Sequence, residues 1–257
     1  RALALPRALR RLGGAGRGAV RGGARSAGGF ALLRERLLLG GAILAVLLSP
    51  SYLRSAGGER GEPYALLLFS VVGMLGLVSS LELISLFVAL EIMSVALYAL
   101  AGMRRGRPES QEAALKYFVT GAFSSAFFLY GVALLYGVSG GTSLHQVSRA
   151  LQAQPGVAGS PMVLIGAGML LVGFGFKVAS VPFHMWAPDV YEGAPTPVTA
   201  FFSVGPKLAA YAVLARVFYV AFPKFHADWG LIVALGSAAT MIWGNIAALL
   251  PTNVKRM

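Results

Sequence analysis

Between Tyr64 and Gly102 the chain runs for about forty residues with only two charged side chains, Glu82 and Glu91. As one helix at ~1.5 Å per residue it would reach about 60 Å, twice the ~30 Å thickness of a bilayer's hydrocarbon core. The segment therefore predicts two membrane spans with a bend near Ser79, Ser80 and Glu82. Further apolar runs of span length follow, and with 56% hydrophobic and 12% charged residues the chain is not that of a soluble domain.

Five more spans are predicted. Leu37 to Leu53 is a short one, ended by Pro50 and the polar run 54–62, and Glu109 to Tyr136 is the fourth. Residues 137–160, rich in Gly, Ser and Gln, read as an exposed loop. A fifth span, Pro161 to Val181, breaks at Pro182, because proline removes a helical hydrogen bond and clashes with the preceding turn. An amphipathic piece, Phe183 to Glu192, follows. Pro195 and Pro197 open the sixth span, to Phe222, and Trp229 to Leu250 is the seventh. A broken helix at membrane depth is tolerated only where protein or a water-filled cavity surrounds it.

The net charge of +12 would suggest nucleic acid or an anionic surface as partner, but its distribution says otherwise. Residues 1–36 hold nine arginines and one acid, Glu35, leaving 13 basic and 9 acidic residues for the rest. The body is only mildly basic, and no nucleic-acid partner is expected. Residues 1–30, rich in Arg, Ala and Gly, read as an organelle transit sequence, or else as a basic tail touching anionic lipid. Residues 31–257 form the membrane domain. The loops after the first, third, fifth and seventh spans carry Arg54, Arg60, Arg104, Arg105, Arg107, Lys255 and Arg256, against Arg149 and Lys224 opposite. The richer side is expected in the matrix or cytoplasm.

The absence of cysteine excludes disulfides, thiolate metal sites and cysteine nucleophiles. Gly173 and Gly175 in GFGFK lack the strand and helix start of a nucleotide fingerprint, and small residues in membrane helices serve close packing. What needs a reason is charge at membrane depth: Glu91, Lys116, Lys177 and Lys207, with Glu82 at the bend and His184 beside the break. Each charge at the bilayer centre costs ~2.5–3.5 kcal/mol even on a lenient insertion scale. Proton or ion transfer is the default reason, and lysine suits it, since burial disfavours its charged form while a nearby carboxylate favours it. At an effective dielectric of ~20, a carboxylate 4 Å away is worth about 4 kcal/mol.

Each candidate also has a structural reading. Glu91 could be bonded to backbone, and Lys116 follows Glu112 at i−4, which suits a surface ion pair. His184 could bond carbonyls freed at Pro182, and Asp189 and Glu192 border the turn before Pro195. Lys177, next to the break, and Lys207, mid-span after Pro206, are hardest to read that way.

ELISLFVALEIMSVALYAL, EAALKYFVTGAFSSAFFLYG, GFGFKVASVPFHMWAPDVYEGAPTPVTAFFSVGPK and GNIAALLPTNVKRM, in that order, resemble the subunit-2 family (subunit N in bacteria) of proton-pumping NADH:quinone oxidoreductase, respiratory complex I. The likeness covers roughly 29–257, and FHMWAPDVYEGAPTPV is closest to mitochondrial members. It implies an all-helical antiporter-like fold with inverted five-helix repeats and a discontinuous helix in each. It places the family's paired glutamate on Glu91, the broken-helix lysine on Lys177, the connecting lysine on Lys207 and a further one on Lys116. It also implies the mitochondrial inner membrane and other membrane-arm subunits as partners, with lipid around the helices. No redox cofactor is expected in this chain; NAD, FMN, iron–sulfur clusters and ubiquinone would belong elsewhere in the complex. Family members continue past NVKRM into a second repeat, so the C-terminal half is expected from a separate chain. Alternative functions are a subunit of a multisubunit sodium/proton antiporter or of the related chloroplast ferredoxin-dependent complex.

Overall fold

The computed structural model describes residues 29–55, 61–153, 155–249, 251 and 253–256. The transit-like stretch 1–28 and Arg60 lie outside them. The fold is all-helical: α1 Gly29–Ser55, α2 Glu62–Ser79, α3 Leu83–Ala101, α4 Pro108–Ser139, α5 Leu144–Ala153, α6 Pro155–Ala158, α7 Pro161–Val178, α8 Trp186–Gly193, α9 Thr196–Ala221 and α10 His226–Ala248. Seven of the described helices are long and apolar enough to cross a membrane, as the sequence predicts.

The long apolar run does split at Ser80, whose extended backbone follows α2. The two helices then pack side by side, so closely that a Cβ on Gly73 would lie 2.4 Å from the Met93 backbone nitrogen. Small residues permit the same approach between α4 and α7, where a Cβ on Gly131 would lie 2.8 Å from the Gly166 carbonyl. The core lies among α2, α3, α4, α7 and α9, around Met74, Leu97, Phe128, Phe174 and Val213. The apolar side chains of α10, including Leu231, Leu235, Met241 and Ile246, stand exposed.

Three expectations are corrected. Residues 137–160 are not an open loop: α5 buries Leu144, Val147 and Leu151 against the body. Its approach is fixed by Leu83 N–H donating to the Thr142 carbonyl and Leu144 N–H to Leu81, at 2.8 and 3.0 Å. Glu82 reinforces it by accepting from Thr142 Oγ1 and Ser85 Oγ, each at 2.7 Å. Those hydroxyls, Thr142 first, hold the Glu82 carboxyl below its ordinary pKa. The first helix runs through Pro50 to Ser55, with the Ser49 hydroxyl bonding the Ala45 carbonyl inside it. Membrane helices tolerate a proline, which here leaves the Val46 carbonyl without its helical donor, where local adjustment or neighbours re-satisfy the backbone.

Finally, α7 ends at Val178 rather than Val181. Ala179 adopts the left-handed conformation at φ 56°, and Ser180 N–H and Ala179 N–H close back on the Gly175 and Phe176 carbonyls. That double closure is a Schellman stop. The chain crosses the break over 179–185 before α8 begins at Trp186.

Candidate functional site

Lys177 occupies the last turn of α7, immediately before the break, and is 2% exposed. Its Nζ has no hydrogen-bond partner among the described residues. Around it stand rings: the ammonium is 5.4 Å from the centroids of both Tyr98 and Tyr117 and 5.9 Å from that of Phe176. Tyr98 comes from α3 and Tyr117 from α4, so three helices meet at the lysine. A route to a carboxylate runs through α4. Ser124, Ser125 and Gly121 line a narrow cleft with Lys177, and Ser125 Oγ donates to Glu91 Oε1.

The structure therefore links Glu91, through Ser125, to the cleft lined by Lys177 without pairing the two directly. Glu91, Ser94 and Tyr98 follow at i, i+3 and i+7 along α3, one face of a helix. The Tyr98 hydroxyl has Ser94 for a neighbour and no partner at hydrogen-bonding geometry.

Lys207 lies near the middle of α9, half-buried, with Nζ 5.2 Å from the Tyr191 ring centroid and no ion pair among the described residues. Tyr191 belongs to α8, packs edge-on against Trp186 at 6.3 Å, and leaves its own hydroxyl buried and unpartnered. Trp186 in turn stacks on Tyr117 at 4.4 Å and 10°, and donates from Nε1 to the Phe176 carbonyl at 3.0 Å. An unbroken row of rings, Tyr117, Trp186 and Tyr191, thus lies between the two lysines.

His184 sits in the break. Its Nδ1 is buried without a partner, its ring is 6.1 Å from Trp243 of α10, and Val181 N–H nearby donates to Thr240 Oγ1 at 2.9 Å. Lys116 stands apart from this group. The 32-residue α4 is about 48 Å long at ~1.5 Å per residue, longer than the hydrocarbon core, so its first turns project beyond it. There Lys116, its side chain 45% exposed, pairs with Glu112 and Asp189 at 2.6 Å each. Arg256 bridges Asp189 and Glu192 at 2.7 and 2.6 Å, and Lys255 Nζ caps the Glu192 carbonyl at 2.7 Å.

Sequence reasoning about charge overlooked the rings, Ser125 and one further cation, Arg216 of α9. Arg216 donates to the Ser80 carbonyl at 2.9 Å, while the buried Arg34 of α1 donates to Ala212 at 3.2 Å. The i, i+3, i+7 spacing from Glu91 to Tyr98 was the available signal for the first of these. No cluster of three or more His, Asp or Glu side chains that could hold a metal occurs among the described residues.

Comparison with known proteins gives this geometry a family. Over residues 80–257 the chain matches the model of the family described as NADH:quinone oxidoreductase/Mrp antiporter, transmembrane. It is 47% identical over 228 residues to NADH-quinone oxidoreductase subunit N of Trichlorobacter lovleyi, covering 89% of this chain and 47% of that protein. Against subunit N 2 of Symbiobacterium thermophilum the identity is 49% over 245 residues, covering 92% and 48%. The chain thus spans about half the length of these curated relatives. Among solved structures it superposes on a chain of respiratory complex I from Thermus thermophilus with a TM-score of 0.75 at 41% identity, covering 99% of this chain and 52% of that one. For the Mrp complex from Dietzia sp. the TM-score is 0.70 at 28% identity, covering 85% and 40%. The chain belongs to the NADH:quinone oxidoreductase/Mrp antiporter transmembrane family.

Proposed function

We propose that the chain moves protons within the membrane arm of an NADH:quinone oxidoreductase, with Glu91, Lys177 and Lys207 as the transferring groups. The observation that carries this is Lys177, a buried ammonium with no ion-pair partner among the described residues, at the end of a broken helix and sharing a cleft with the serine that binds Glu91. Burying an unpaired charge costs several kcal/mol, which marks a group whose proton comes and goes. Closing Glu91 to ~4 Å would favour the charged lysine by about 4 kcal/mol, and withdrawing it would release the proton. Lys207 is the onward acceptor, and His184 a relay at the break. Lys116 has the weakest place in this reading, held by two carboxylates at the exposed head of α4.

The identity to subunit N proteins, 47% and 49% against 28% for the Mrp complex, favours the oxidoreductase over an antiporter complex. In this reading other membrane-arm subunits and lipid surround the chain. NAD, FMN, iron–sulfur clusters and ubiquinone are handled by other subunits. The arginine-rich stretch 1–36 supports the mitochondrial inner membrane, testable by import of that stretch fused to a reporter into isolated mitochondria and chloroplasts.

The decisive experiment is Lys177→Ala and Glu91→Ala in the assembled complex, read as proton uptake by membrane vesicles. Each should lower pumping by roughly tenfold or more. Unchanged pumping in an assembled Lys177→Ala complex would rule the reading out.

A further inference from the structure

The surroundings of Lys177 are aromatic rather than anionic, and they are rigid. Tyr98 meets Tyr117 edge to face at 4.7 Å and 83°. A Cβ on Gly121 would come within 2.0 Å of the Tyr98 hydroxyl, so glycine alone leaves the ring its place. Tyr117, 1% exposed, is fixed from behind by the parallel Trp186 ring. Both tyrosine centroids lie inside the ~6 Å within which a ring face attracts a cation, through its negative quadrupole. Packing alone gives no reason to place a cation among three rings. Among the described residues those faces stand directly around Nζ, while Glu91 attracts it only from a distance, without a hydrogen bond or ion pair.

We infer that Tyr98 and Tyr117 are positioning residues for Lys177, seating its ammonium on their ring faces between the withdrawal of Glu91 and the departure of the proton, and that Trp186 sets that seat from beyond the helix break. The inference rests on the proton-transfer reading and deepens it. Because Trp186 belongs to α8 and holds the Phe176 carbonyl at the end of α7, a shift of α8 against α7 moves the seat and the lysine together.

The test replaces Tyr117 by phenylalanine and then by its mono-, di- and trifluoro analogues in the assembled complex, which weaken the ring's quadrupole at nearly constant shape. Phenylalanine should retain pumping. The fluorinated series should fall stepwise, by roughly two- to tenfold at three fluorines, with the amount of assembled complex constant. In a Lys177→Ala background fluorination should change nothing further. A flat series beside a Lys177→Ala complex that has lost pumping overturns the seat alone. Unchanged pumping in Lys177→Ala overturns the underlying reading and the seat with it.

Discussion

Ser125 of α4 donates its hydroxyl to the Glu91 carboxylate of α3, and the same serine lines the cleft that holds Lys177. One hydroxyl is thus the hinge between the two groups expected to exchange influence over a proton. A hydrogen bond to a charged group is worth ~1.5–3 kcal/mol, so its loss should redirect or free the carboxylate. Ser125→Ala is expected to lower coupled proton uptake by roughly three- to tenfold with the complex assembled, and Ser125→Thr to retain most of it. Equal pumping in all three forms would show that this bond only ties α3 to α4.

How much of this was legible in the sequence depended on the kind of force involved. The α2–α3 bend followed from length against bilayer thickness, and Glu91, Lys177 and Lys207 from the cost of charge in hydrocarbon. Helix α5 escaped because ten residues with four inward positions, in a Gly- and Gln-rich context, give too short a pattern to separate from a loop. The end of α7 escaped because an alanine takes the left-handed stop that glycine usually provides. The ring row from Tyr117 to Tyr191 escaped for another reason: its members come from α4 and α8, and aromatic residues are ordinary in a membrane helix until tertiary packing sets them beside a cation.

Helix α8 carries Trp186, Asp189, Tyr191 and Glu192, so its seat against α4 should matter to the whole site. That seat depends on Gly193, where a Cβ would lie 2.3 Å from the Glu109 carbonyl oxygen and 2.5 Å from Ala113 Cβ. Both obstacles belong to the well-packed start of α4 and cannot swing aside. Gly193→Ala should therefore destabilise by ~1–3 kcal/mol and lower the temperature at which the complex inactivates. Gly168→Ala, with nothing within 4 Å, is the matched control and should be neutral or mildly stabilising. Identical inactivation temperatures would mean that α8 is free to shift.

The cluster over α8 predicts a pH dependence. Arg256, bonded to its carboxylate, holds Glu192 below the usual pKa. A carboxyl with a lowered folded-state value contributes stability in full above the unfolded value of ~4.3, and loses it as pH falls through the folded one. Thermal stability measured from pH 6 down to pH 3 should therefore decline below about pH 5, and Glu192→Gln should flatten that part of the decline. The effect should be small and weakened by salt, since the pair is partly exposed, with side chains 44% and 29% accessible. A Glu192→Gln profile parallel to the parent's would remove Glu192 from the balance.

The break itself can be tested at Ala179, whose φ of 56° is one that side chains with a Cβ adopt at a cost of ~1–2 kcal/mol. Glycine meets no such penalty, but it gives back ~0.5–1 kcal/mol through the greater freedom of the unfolded chain. Ala179→Gly should thus be neutral to slightly stabilising, and should leave pumping intact because the stop after Lys177 is kept. A β-branched side chain is a poorer fit still in this conformation. Ala179→Val should either lose ~2 kcal/mol or pull α7 into a further turn, carrying Lys177 away from the rings of Tyr98 and Tyr117. The two outcomes separate in measurement: the first lowers the inactivation temperature with normal pumping per complex, and the second lowers pumping per complex. Parent-like behaviour of Ala179→Val in both assays would show that Pro182, three residues on, suffices to end the helix.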